Sequence, residues 1–347
     1  MRRTLACLLL ATLLPTAQAA ASVPVKGVEF THNDWTLACD NTRTCRAAGY
    51  QNEDAGDDPV SVLLTRKGGP DQPISAELML GEYDEGDMPD TVTLHINGKA
   101  LGKVADSTRF SAAQTSALLN ALIRDSRIEL LGNNGRRWAL SDRGASAVLL
   151  KMDEFQGRLG TPGAVMRKGS RAEASVLPAL PVPVITLGKR VPTTAADEAL
   201  GQLPALRAAL AAATSADDCD ALHAAEGTPF DDEPQPVTVK RLDGRHLLAS
   251  TVCWRGAYNE GSGYWVVNDR APYQPRYITN LGVDDDTLTI TASHKGRGLG
   301  DCWSNAMWAW NGTEYIQTDD GSTGLCRLVA AGGAWQMPSL VSEVKEP

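Results

Sequence analysis

The sequence predicts a mostly β protein of the α+β class, built as two domains. Three observations point there. Four hairpin signals, Asn97-Gly98, Gly132–Gly135, Asp243-Gly244 and Asn311-Gly312, lie between runs rich in β-formers. Serine and threonine capping boxes mark only a few helices. A proline-rich stretch at 166–195 separates two sets of these signals, and 347 residues suit two domains with a sizeable core.

The chain opens with Arg2-Arg3, an apolar run from Leu5 to Leu14 and the small-residue site Ala17-Gln18-Ala19. This reads as an export signal cleaved after Ala19. The expected layout is a signal peptide at 1–19, a β-rich N-terminal domain at 20–165, a linker at 166–195 and a Trp/Cys-rich C-terminal β domain at 196–347. The mature protein is expected to be periplasmic or secreted. No later stretch approaches the roughly 18 apolar residues of a membrane span. A formal net charge of −9 and a pI near 5.1 argue against nucleic acid or an anionic membrane as partner.

In the N-terminal half, Trp35–Cys39 and Cys45–Gln51 flank a turn-rich loop and read as two stapled strands. Val60–Thr65, Ile74–Leu80, Thr91–Ile96 and Lys99–Val104 are further strands. Ser111 with Gln114 forms a capping box, so a helix is expected over Ala112–Asp125. Arg127–Leu131 and Arg137–Leu140 make the next hairpin. Ser141 is then expected to cap a helix on which Val148, Met152, Phe155 and Leu159 recur at helical spacing. Prolines 178, 181, 183 and 192 make the following segment an extended connector.

The C-terminal half begins with helices. Thr194 and Asp197 form a capping box, Pro204 suits the first turn of a second helix, and Ser215 with Asp218 makes another capping box that places Cys219 and Leu222 in a short helix. Val237–Leu242, Arg245–Cys253, Tyr264–Val267, Arg276–Thr279 and Thr287–Ala292 read as strands. Gly296–Arg327 is the segment densest in structural instruction, holding three of the eight tryptophans, two cysteines and an Asn-Gly pair. Met307–Trp310 and Thr313–Gln317 are expected to pair across a type I′ turn at Asn311-Gly312, with Trp308 and Trp310 on one face.

Removal of Cys7 with the leader leaves Cys39, Cys45, Cys219, Cys253, Cys302 and Cys326. An even count in an exported chain reads as disulfides, and the C-x2-C spacing of a zinc site is absent. Of the pairings possible, sequence neighbours are expected: Cys39–Cys45, Cys219–Cys253 and Cys302–Cys326.

Several strings together resemble a bacterial exported family catalogued as domain of unknown function 1176. They are Trp35-x3-Cys39-x5-Cys45-x5-Gln51, Cys253-Trp-Arg-Gly-Ala-Tyr-Asn259, Gly296-Arg-Gly-Leu-Gly-Asp-Cys302, Trp308-x-Trp310-x-Gly312 and Cys326-Arg327. The likeness covers nearly the whole mature chain, and its Gly-Arg-Gly-Leu-Gly-Asp-Cys string is specific. Residues 28–165 also resemble, more weakly, the invasion-associated locus B family, which implies a β-sandwich-like N-terminal domain. Neither resemblance brings an established catalytic site.

Catalysis is hard to build from the sequence. The five histidines, at 32, 95, 223, 246 and 294, form no HExxH motif, and no G-x-S-x-G elbow is present. Gly261-Ser262-Gly263 reads as a turn between strands and Asp284-Asp285-Asp286 as a solvated turn, as do Asp57-Asp58 and Asp231-Asp232-Glu233. Gly296–Gly300 lacks the lysine and helix of a phosphate loop. No cofactor and no metal site are expected.

One constellation suggests recognition. Trp254, Arg255, Tyr258, Asn259, Arg297, Asp301 and Trp303 combine aromatic contact area, forked donors and an acceptor near small glycines. The competing reading is a tryptophan-rich core with Arg297 paired internally. The expected role is a non-enzymatic binding or envelope accessory protein, with an envelope protein or glycan as partner class. The alternatives are an inhibitor or sensor of a cell-wall enzyme such as lysozyme, and a hydrolase with a non-sequential site.

Overall fold

A computed structural model describes residues 25–55, 58–81, 87–223 and 235–347. The leader with Cys7, Asp57 and the acidic run at 231–233 lie outside the described residues.

The N-terminal half starts with an antiparallel meander of β1 (Val28–His32), β2 (Trp35–Cys39), β3 (Cys45–Tyr50), β4 (Val60–Arg66) and β5 (Ile74–Leu80), paired in chain order. A disulfide between Cys39 and Cys45 closes the β2–β3 turn. A second sheet runs β7-β6-β8-β9, from β6 (Val92–Ile96), β7 (Lys99–Lys103), β8 (Ile128–Gly132) and β9 (Arg137–Leu140). With α1 (Ala112–Leu122) and α2 (Ala145–Phe155), both sheets bury one core that includes Trp35, Leu64, Leu94, Leu118, Trp138 and Met152.

Local chemistry sets the helix starts. Ser111 Oγ accepts the Gln114 amide at 3.2 Å, and Gln114 Oε1 accepts the Ser111 amide at 2.9 Å. The Gln114 side-chain NH2 then donates to the carbonyls of Leu101, Gly102 and Lys103, tying α1 to β7. Ser141, expected as a cap, does not cap α2. Its hydroxyl donates to Asp34 at 2.7 Å, and α2 starts at Gly144 instead. Gly144 has φ +96, and a Cβ there would meet the His32 carbonyl oxygen at 1.9 Å. The helix ends at Phe155, so Leu159 lies beyond it.

The connector holds β10 (Val184–Thr186), which pairs in parallel with β20 (Glu343–Lys345) at the end of the chain. A strand was not expected there. The prolines lie outside the strand: Pro183 immediately precedes it, and its carbonyl accepts the Glu343 amide at 2.8 Å. The connector is also tied down elsewhere: the Leu180 amide donates to the Thr42 carbonyl, and the Gly188 amide to the Trp310 carbonyl.

The C-terminal half follows with α3 (Ala195–Leu200), α4 (Pro204–Ala212) and the four-stranded sheet of β11 (Thr238–Arg241), β12 (His246–Arg255), β13 (Glu260–Asn268) and β14 (Arg276–Gly282). A five-stranded sheet contains β15 (Asp284–Asp285), β16 (Thr289–Lys295), β17 (Trp303–Trp310), β18 (Tyr315–Ser322) and β19 (Met337–Leu340), also in chain order. The two sheets share a core around Leu248, Tyr264, Ile290, Trp308 and Trp310. A second core forms where Leu206 and Leu210 of α4 meet Trp265, and the Cys219–Cys253 disulfide lies within it.

The β17–β18 hairpin differs from expectation in its turn. The strands pair up to Trp310↔Tyr315, leaving four loop residues rather than two. Only Gly312 has positive φ, and the Asn311 side chain accepts the amides of Thr313 and Glu314 at 2.9 Å. Asparagine closes this loop as an Asx turn and not as a left-handed residue. Asp243 acts similarly between β11 and β12, accepting the amides of Arg245 and His246. Gly261-Ser262-Gly263 is not a turn but lies inside β13. The glycines give room to neighbours: a Cβ on Gly261 would come within 2.3 Å of the Trp254 indole, and one on Gly263 within 2.2 Å of Trp265. The Asp284–Asp286 run is not simply a solvated turn: Asp284–Asp285 forms a short strand, Asp285 pairs with Lys240 and Asp286 with Arg190.

The halves meet through the chain end. Val329, Ala334 and Met337 pack on Ala38, Ala48, Tyr50 and Leu63, covering the second face of the first sheet. Polar bonds surround this contact. Trp335 Nε1 donates to Ser61 Oγ at 2.7 Å, and Asn41 exchanges two hydrogen bonds with the Val341 backbone. Tyr50 Oη accepts the Leu325 amide, and burial pushes its phenol up to about 12.

Candidate functional site

The segments 254–260 and 295–303 lie far apart in the chain, and Asn259 joins them. Its Nδ2 donates to the Lys295 carbonyl at 2.9 Å, and its Oδ1 accepts the Lys295 amide at 3.0 Å. Asparagine suits this place because its amide matches a peptide group in both donor and acceptor. Tyr258 adds a bond from its hydroxyl to the Gly296 carbonyl at 3.3 Å while the residue stays 47% exposed.

Beyond this junction the chain is fixed by two further links. Asp301, only 1% exposed, accepts from Arg297 Nε at 2.8 Å and from the Leu328 amide at 2.7 Å. Burial pushes the Asp301 carboxyl up, but these hydrogen bonds outweigh it and hold the carboxyl below its ordinary value. The adjacent Cys302–Cys326 disulfide lies against Gly296, where a Cβ would meet Cys302 Sγ at 2.6 Å. Asp301, Cys302 and Cys326 form a cluster with metal-ligand atom types, but both sulfurs are committed to the disulfide, so no thiolate is offered.

The result is a concavity of about 270 Å³, lined by Tyr258, Asn259, Glu260, Ser262, Gly282, Val283, Ser293, His294, Lys295 and Trp303. Trp303 is half-buried, donates its indole N–H to the Gly300 carbonyl at 3.0 Å, and carries Lys295 Nζ 5.6 Å from its ring centre. Of the seven residues singled out from sequence, Tyr258, Asn259 and Trp303 line the hollow. Trp254 stands behind it, with its ring 5.2 Å from His294 and its N–H on the Asn280 carbonyl. Arg297 and Asp301 hold the loop as an internal pair. Arg255 lies outside, paired with Glu260 across the mouth of the β12–β13 turn.

The sequence reading missed His294. It is 9% exposed, and its Nε2 lies 2.7 Å from the Leu281 carbonyl. A carbonyl only accepts, so Nε2 carries the proton and Nδ1 is an acceptor in the neutral ring. Nδ1 is buried and has no hydrogen-bond partner. A period-2 signal was available: Ile290, Ala292 and His294 alternate inward along β16, past the expected end of the strand at Ala292.

The other histidines take different roles. His246 Nδ1 bonds Asp243 at 2.7 Å, and His223 Nε2 bonds the Thr214 carbonyl. Among the described residues no histidine is hydrogen-bonded to a serine hydroxyl.

Residues 29–342 match the model of a family described as "Protein of unknown function (DUF1176)". The chain belongs to the DUF1176 family. A relative by full-length likeness is the uncharacterized protein YpfG of Escherichia coli (strain K12), 24% identical over 357 residues, covering 91% of this chain and 92% of that protein. No solved structure matches the chain significantly. The DUF1176 match spans both halves, whereas a relation of residues 28–165 to the invasion-associated locus B family is not shown. The three disulfides of this DUF1176 chain fit an exported protein. Among the described residues no helix is long and apolar enough to cross a membrane.

Proposed function

We propose that the protein is an exported, non-enzymatic binding protein that holds an envelope glycan in the concavity between Tyr258 and Trp303. The observation that carries this reading is the hollow itself, in which Tyr258, 47% exposed, and the half-buried Trp303 stand beside polar side chains. Tyr258 and Trp303 supply aromatic contact area for the C–H groups of a sugar, and Glu260, Ser262 and Lys295 line the same hollow with polar groups. The volume suits one or two sugar rings rather than a long chain. Rigidity favours recognition as well, since Asn259, the Arg297–Asp301 pair and the Cys302–Cys326 disulfide fix the walls before any ligand arrives.

A sedimentation assay with purified peptidoglycan tests the reading. The mature chain should pellet with the polymer, and Trp303→Ala should stay in solution while keeping its melting temperature. Equal pelleting of both proteins would remove the site from consideration.

A second reading rests on Leu299. It is 61% exposed on the Gly296–Gly300 loop, and that loop is held by the Arg297–Asp301 pair. A firm loop with an apolar tip suits insertion into the cleft of a cell-wall enzyme such as lysozyme. Under this reading Leu299→Asp would abolish inhibition of lysozyme turnover and leave peptidoglycan sedimentation unchanged.

A further inference from the structure

The N-terminal half contains a cavity of about 610 Å³ between α1, the start of β5 and the loop that follows α2. It lies in the size range of small-molecule sites. Its walls are mainly apolar, with Ile74, Leu119, Ile123, Val165 and Met166 among them. At its base lies Arg66, whose side chain is 6% exposed.

Arg66 is incompletely satisfied. Nε donates to the Gln72 carbonyl at 2.9 Å. Nη1 faces Asp153 Oδ1 at 3.6 Å, which is ion-pair range but beyond a hydrogen bond, and both atoms are buried without a hydrogen-bond partner. The other oxygen of Asp153, Oδ2, accepts the amides of Val165 and Met166 at 2.7 and 2.8 Å, which fixes one wall of the cavity. Nearby, the buried Arg158 pairs with Glu173 and with the carbonyls of Lys67 and Gly69. Burial and then Arg158 pull the Arg66 guanidinium down to about 10, so it remains charged at neutral pH.

The charges decide the ligand class. Two cations, Arg66 and Arg158, face the two acids Asp153 and Glu173, and Lys168 on the cavity wall adds a further positive charge. A mainly apolar pocket lined by a cation selects for an anionic head on an aliphatic tail. We propose that this cavity binds a fatty-acid carboxylate, with the head on Arg66 Nη2, which is not enclosed as Nη1 is, and the tail along Leu119, Ile123, Val165 and Met166. A carboxylate fits one N–H flanked by an acid better than a phosphate does, because it carries less charge to repel Asp153. The site lies in the other half of the chain from Tyr258 and Trp303, and it stands or falls independently of the glycan reading.

Isothermal titration of the mature chain with laurate, below its micelle concentration, tests this. Dodecyl dimethylamine oxide serves as the same tail with a head of no net charge and no sugar. Laurate should bind one per chain and the amine oxide at least about ten-fold more weakly, the penalty for losing a charge-assisted hydrogen bond. Arg66→Gln should weaken laurate by a similar factor. Leu119→Trp puts an indole in the path of the tail but leaves the Arg66–Asp153 network in place, so it should weaken laurate binding several-fold with an unchanged fold by circular dichroism. This second variant decides the matter if Arg66→Gln does not fold. Absence of laurate binding, equal binding of the two amphiphiles, or unaltered laurate affinity in a folded Leu119→Trp protein would each overturn the proposal.

Discussion

Arg327 and Asp34, 293 positions apart in the chain, form a buried ion pair at 3.2 Å. Asp34 also accepts from Ser141 at 2.7 Å, and the Arg327 carbonyl accepts from Gln51 at 2.7 Å. Arg327 follows the Cys302–Cys326 disulfide directly, so one residue links the candidate site to the first sheet. Removing one partner of a buried pair leaves an uncompensated charge. Arg327→Met should therefore lower stability by about 3 kcal/mol in a urea titration. A loss below about 1 kcal/mol would put the pair among exposed ion pairs of little weight.

The boundary at 166–195 is proposed as the division between two folding units that stabilise each other. Fragment 20–165 alone uncovers Ala48, Tyr50 and Leu63, which Val329, Ala334 and Met337 cover in the whole chain. Fragments 20–165 and 166–347 should co-elute on gel filtration when mixed, and each alone should melt below the full chain. Separate elution with unchanged melting temperatures would show that the contact is incidental.

The disulfides should differ in weight. Cys302–Cys326 closes a loop of roughly 25 residues and Cys39–Cys45 one of roughly 7, which gives about 3.5 and 2.4 kcal/mol in the chain-entropy model. Paired serine substitutions compared by chemical denaturation should reproduce that order. The reverse order would mean that native packing around Cys39 outweighs chain entropy.

Acid should weaken the C-terminal half through Asp197. The hydrogen bond from Arg241, followed by those from Thr194, brings its carboxyl down to about 2 despite burial. Its folded value lies below the ordinary value of about 3.9, so its contribution is complete above pH ~4 and is lost as pH falls towards 2. Asp197→Asn should flatten the fall in stability over that window. An unchanged acid limb would assign the fall to other carboxylates.

Much of the fold was legible where short-range chemistry decides it. The Ser111–Gln114 and Thr194–Asp197 boxes marked true helix starts, and Pro204 opened α4. Errors arose where a tertiary partner competed for the same group. Ser141 turned to Asp34 and left the cap to Gly144, and the Asn311 side chain closed its own loop. The glycines at 261 and 263 read as a turn because their reason, the indoles of Trp254 and Trp265, comes from packing. The site was half legible. Adjacent strings placed Tyr258, Asn259 and Trp303 together only through the Asn259–Lys295 bonds, which no local pattern announces. Arg297 and Asp301 carry binding-type chemistry but spend it on each other.

If the hollow between Tyr258 and Trp303 holds a sugar, a nitrogen-15 NMR titration of the tryptophan indole N–H groups with a soluble disaccharide fragment of peptidoglycan measures it most directly. The Trp303 signal should shift, and the signals of the buried Trp265 and Trp310 should stay fixed. An unmoved Trp303 signal at saturating fragment would remove the glycan site.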